Sequence, residues 1–165
     1  MKVSSTTFLK IELIIIALPV LAICIYGLAW LVKNPVSSDY SSILYPIIIA
    51  LYMTTVPFFI SLFQAFKLLD YIDKKQSFSE LSVKSLKIIK LCASSISIIY
   101  LLMIPFSYLL AEKDDAPGII IIAGAFVFGS LVVAAFVAVL QKLLIEVIDI
   151  KTNNEKQTDY KKLMY

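Results

Sequence analysis

Four runs of almost uninterrupted apolar residues, at residues 11–32, 43–66, 88–111 and 119–140, divide the chain. A helix that crosses a bilayer needs about 20 mostly apolar residues, and each run meets that length. Between them lie short polar stretches, so the pattern predicts an all-α membrane protein of four transmembrane helices. Lys2 and Lys10 precede the first run in the manner of a signal peptide. That run continues to Val32 without a small-residue cleavage site in a polar setting, and is read as a span that stays.

Helical periodicity continues past the second and fourth runs. After Leu140, residues Leu143, Leu144, Val147 and Ile148 recur at helical spacing while Lys142, Glu146 and Asp149 share the opposite face. The fourth helix is expected to run to about Ile150. The second is expected to reach Lys74, with Asp70 four residues earlier in position for an ion pair. The third is expected to start at a capping box of Ser77 and Glu80, with Glu80 four before Lys84. Helical extensions thus stand below three of the spans, forming a transmembrane domain over residues 1–151. Residues 152–165 show no sustained period and read as a mobile tail or a short interfacial helix.

Charge fixes the orientation. Thirteen lysines fall in the amino-terminal tail, the central hairpin and the carboxy-terminal part, against Lys33 and Lys113 in the other two connections. Cytoplasmic segments carry the basic excess, so both termini and the hairpin are expected in the cytoplasm of a cell whose plasma membrane holds the spans.

Composition narrows the chemistry. The chain is 60% hydrophobic and 16% charged, beyond the range of soluble domains, so membrane lipid is its main surrounding. It has no His, and every basic residue is Lys, which removes the commonest general base and the bidentate phosphate fork of Arg. The lysines form no continuous stripe of the kind nucleic acid would need. No glycine loop, metal-ligand cluster or nucleophile with a base is visible, so neither an enzymatic activity nor a cofactor is implied. Cys24 and Cys92 fall at different membrane depths and read as packing residues, with lipidation or redox sensing at Cys92 as the alternative.

Six residues stand out as candidates. Glu12 is the one carboxylate inside a predicted span. It either couples an ion or substrate to transport, or snorkels and pairs with Lys10 or Lys142. Asp114 and Asp115, with Glu112 and Asp39, offer hard oxygen ligands for a divalent cation, or else sit at the start of the fourth helix with Pro117 in its first turn. Lys84, Lys87 and Glu146 mark the patterned helix ends on the lysine-rich side. Pro19, Pro46, Pro57 and Pro105 lie within spans and serve as kinks or hinges. Hydroxyls and one amide, among them Thr54, Thr55, Gln64 and Ser97, are expected to bond between helices or to their own backbone. Small residues at i,i+4, Ala125 with Gly129 and Ser130 with Ala134 and Ala138, allow close helix approach within one chain or across a homo-oligomer.

The segments FSELSVKSLKIIKLCA (78–93), AEKDDAPG (111–118) and FVAVLQKLLIEVIDIK (136–151), in that order, resemble the small four-span bacterial membrane proteins grouped as domain of unknown function 2975. The resemblance implies no catalytic residues. It does imply a gene neighbour, since members are often encoded beside a small helix-turn-helix regulator, a transcriptional regulator that becomes the expected partner of the cytoplasmic helix ends. A small transport or self-immunity protein acting through Glu12 and the proline-bearing helices is the alternative. The chain departs from the resembling proteins after its last helix, where Asn153, Asn154, Glu155, Lys156, Gln157 and Thr158 replace an acidic ending.

Overall fold

The computed structural model describes residues 2–164 apart from Lys75 and Ser77, and side chains from Thr6 onward. Four helices occupy nearly all of it: α1 (Lys2–Lys33), α2 (Ser38–Asp73), α3 (Glu80–Lys113) and α4 (Gly118–Met164). Each contains one predicted span and is long and apolar enough to cross a membrane. The chain is an all-α membrane protein.

The helices pack in chain order. Among the described residues α2 meets α1 and α3, α3 meets α2 and α4, and α1 touches neither α3 nor α4. The centre of this row is α3, which contributes most of the buried residues. Ser82, Ser85, Cys92, Ala93, Ser97, Ser107 and Ala111 on it are all buried, and all are small. Small side chains let backbones approach closely where lipid offers no hydrophobic drive for association. Both cysteines are free, and Cys92 is part of this packed face.

At the lysine-rich end Leu86 and Ile89 of α3 pack with Val137 and Leu144 of α4 and with Ala65 and Leu68 of α2. Further in, the hydroxyl of Ser97 donates to the carbonyl of Val127 on α4, and the Tyr100 ring stacks on Phe126 at 5.4 Å between centroids. The Thr54 hydroxyl on α2 donates to its own Leu51 carbonyl and lies 3.5 Å from the Tyr100 hydroxyl. The expected division of polar groups, part between helices and part to their own backbone, is what forms.

Helix α1 attaches to α2 at two levels. The Tyr52 hydroxyl donates to the Cys24 carbonyl at 2.8 Å, and a Cβ on Gly27 would stand only 3.4 Å from that hydroxyl. Near the lysine-rich end the Lys10 ammonium donates to Asp70 at 2.5 Å and to Asp73 at 2.7 Å. The expected Asp70–Lys74 and Glu80–Lys84 pairs do not form among the described residues; Asp70 turns toward α1 instead. Hydrogen bonding to both aspartates raises the Lys10 pKa. The Lys10 ammonium, and after it the Thr6 hydroxyl, hold Asp73 below the usual carboxylate range.

Tyr26, Trp30, Tyr45 and Tyr108 are exposed near the helix ends opposite the lysines, as aromatic residues at a membrane boundary are. From Lys10 to Trp30 α1 rises about 30 Å, one hydrocarbon thickness. The apolar side chains exposed between these limits face lipid.

The connections correct three expectations. Ser79, rather than Ser77, caps α3: its hydroxyl accepts the Ser82 N–H at 3.4 Å, and Glu80 is the first helical residue. Ser77 lies outside the described residues. Asp114 closes α3 rather than opening α4, with its N–H bonded to the Leu110 carbonyl. Asp115 takes φ 53°, and Ala116 N–H returns to the Ala111 carbonyl, so the reversal follows the left-handed helix-ending pattern. An aspartate tolerates that conformation better than most side chains. Finally, α4 does not stop near Ile150 but continues to Met164. There the Thr152 and Thr158 hydroxyls bond back to the Ile148 and Asn154 carbonyls, within the helix rather than against it.

Two outcomes follow from this packing. Ala93→Leu inserts bulk where the residue is 5% exposed and should cost about 1–3 kcal/mol, read as a lower thermal midpoint in detergent. Leu91→Ala, at a 63% exposed site, should leave the midpoint nearly unchanged, and equal effects would count against α3 as the packing centre. Lys10→Met should lower the midpoint at neutral pH. Because the Asp73 pKa is depressed in the fold, its share of that difference is present above the unfolded value of about 3.9 and lost as pH falls through the folded value. The Lys10 share, from a raised pKa, is full below about 10.4 and lost as pH rises through the folded value. A difference between wild type and variant that stays constant from pH 2 to 12 would refute the clamp.

Candidate functional site

The helices overrun their predicted spans unequally at the two ends of the row. On the aromatic side the connections are the four residues 34–37 and the four residues 114–117. On the lysine-rich side α2 continues about two turns past Lys67, α3 begins about three turns before Lys90, and α4 runs about six turns past Lys142. This side holds the chain's only extended polar surface among the described residues.

Lys84 and Lys87 are exposed on α3, one turn apart and on one face, while Ser82 before them and Ser85 between them are buried. That alternation is what an amphipathic helix end produces: serines turn inward and lysines into water. The turn before it is tied down by the Ser82 hydroxyl, which donates to the Gln76 carbonyl at 3.3 Å. Glu146 is exposed on α4 and Phe78 is exposed at the hairpin. A groove runs beside Phe78, lined by Val147, Ile150, Lys151 and Asn154. Among the described residues the ion pairs are those of Lys10, so Lys84, Lys87 and Glu146 present their charges to solvent.

Glu12 is exposed and is not brought together with Lys10 or Lys142. Residues two apart on a helix point to different sides. Lys10 faces α2 and its aspartates, while Glu12 faces away near the same membrane boundary. Sequence reasoning offered Lys10 as one possible partner of Glu12 and missed Asp70 and Asp73, which are about sixty residues distant from it; their i,i+3 spacing on α2 was the available signal.

On the aromatic side the Asp114 carboxylate is engaged structurally. Tyr40 donates its hydroxyl to Asp114 at 2.9 Å, which raises the phenol pKa. Lys113 lies over the Tyr40 ring at 4.2 Å and donates to the Asp39 carbonyl. These contacts tie the start of α2 to the end of α3. No group of three His, Cys, Asp or Glu among the described residues is placed to hold a metal ion. Asp115 serves the turn.

Similarity to known proteins agrees with the fold. A family model described as "Protein of unknown function (DUF2975)" matches residues 30–156, from the end of α1 into the extension of α4. The chain is 52% identical over 159 residues to the uncharacterized membrane protein YoaS of Bacillus subtilis (strain 168), covering 92% of this chain and 96% of that one. No solved structure matches. With the motifs at the hairpin, the α3–α4 turn and the α4 extension all inside the matched region, the chain belongs to the DUF2975 family of membrane proteins of unknown function.

Proposed function

We propose that this is a non-enzymatic interaction protein of a bacterial plasma membrane, with both termini and the α2–α3 hairpin in the cytoplasm, whose helix ends contact a soluble regulator. One observation carries the reading: α2, α3 and α4 all run on past their apolar spans at one end, and the segments at that end hold thirteen of the fifteen lysines. The positive-inside rule assigns such a side to the cytoplasm. Four-residue turns on the other side leave little surface for a partner. The contact surface is centred on Lys84 and Lys87, whose ammonium groups are free to pair with a partner's acids at modest cost in desolvation. The partner is the small helix-turn-helix regulator whose gene neighbours those of related proteins.

The test is capture of the full-length protein from solubilised membranes of cells that express the neighbouring regulator. The regulator should co-purify, and Lys84→Glu together with Lys87→Glu should cut its recovery at least tenfold while the membrane protein's abundance stays constant. Failure of the intact protein to retain the regulator, or retention indifferent to the charge reversal, would contradict the reading. Orientation has its own check, because a carboxy-terminal reporter that fluoresces only in the cytoplasm should be bright and one active only outside should be silent.

A further inference from the structure

An exposed seam runs along α4. Gly129, Val133, Phe136, Leu140, Leu143, Val147 and Ile150 follow one another at alternating spacings of four and three residues, and every one is exposed. That alternation is the a and d pattern of a left-handed coiled coil. Inside the membrane, exposure of such residues to lipid is ordinary. Beyond the boundary marked by Lys142 it is not, because Leu143 is 53%, Val147 41% and Ile150 61% exposed in what would be water. The rest of the chain leaves this surface open, and the groove beside Phe78 follows it, since Val147, Ile150 and Asn154 line that groove.

We propose that two copies of this chain pair in parallel along this seam, through a coiled coil that starts in the membrane and continues into the aqueous phase to about Asn154. Copies inserted with the same topology necessarily present α4 in parallel. In that register the position before each a residue and the position after each d residue face the neighbouring helix. Glu146 directly precedes Val147 and Lys151 directly follows Ile150, so Glu146 of one copy meets Lys151 of the second copy, five residues further along, as opposite charges. Within one chain the two are five apart and form no ion pair. Asn154 falls at the next a position, where a buried asparagine favours two parallel strands and fixes their register. Gly129, at a d position inside the membrane, lets the backbones approach. α4 has no proline to interrupt the seam, whereas α1, α2 and α3 each have at least one.

The second stripe of small residues behaves differently. Ser130, Ala134 and Ala138 lie partly buried on the side of α4 that carries the buried Val137, so they serve the chain's own packing. This leaves the seam free for a second copy, whether or not a soluble partner also binds.

The experiment is oxidative cross-linking of the full-length protein in native membranes, with Cys24 and Cys92 replaced by alanine and one cysteine introduced at a time. Cysteines at Leu143, Val147, Ile150 and Asn154 should give dimer in at least tenfold higher yield than cysteines at Ile145, Asp149 and Thr152. Glu146→Lys and Lys151→Glu should each lower the yield at position 150 several-fold, and the double exchange should restore it. No dimer at any position, yields without the four–three period, or a double exchange no better than the singles would overturn the pairing.

Discussion

The close approach of α2 and α4 to the small-residue face of α3 is the contact on which the rest of the structure depends. Lipid tails are as apolar as leucine, so burial of leucine and isoleucine cannot by itself hold membrane helices together. What can is dispersion between backbones brought near, and that needs serine, alanine and cysteine where the helices meet. α3 supplies them along its length, from Ser82 to Ala111. α1 has no such arrangement with α3 or α4, and its place in the row rests on Tyr52, Gly27 and the Lys10 clamp.

The spans were legible in the sequence because lipid imposes a length and a composition that no soluble helix shares. The small-residue pattern of α4 was legible too, but not its division between an inward stripe and an exposed one, which depends on where α3 lies. Local chemistry was harder. Ser77 and Ser79 both stand close before the third helix, and a choice of two residues decides whether Glu80 closes a box or merely begins a turn. Asp114 and Asp115 satisfy the rules for a helix start and for a helix end alike. The backbone reversal at Asp115 settled that in favour of the end.

Long-range pairing was the least accessible. Lys10 has a nearer acid in Glu12, yet helix geometry turns the two apart and brings Asp70 and Asp73 across from α2. The continuation of α4 to Met164 shows a different limit, because a polar helix lacks the apolar period by which buried helices are found. An isolated helix of about fourteen residues is marginal in water, so the segment after Ile150 depends on the helix that nucleates it and on whatever packs against it. That dependence joins the architecture to the proposed role: the part of the chain least supported from within lies on the side where a partner is expected.

The central claim is that α4 is one continuous helix that leaves the membrane near Lys142 and remains helical to its end. Spin labels placed singly from Val133 to Lys162 in bilayers, read for collision with oxygen and with a water-soluble paramagnetic reagent, test it most directly. The expected record passes from oxygen access to aqueous access between Leu140 and Glu146 and keeps a 3.6-residue period on to Lys162. Labels that stay inaccessible to the aqueous reagent through Lys151, or that lose helical period after Ile150, would contradict it.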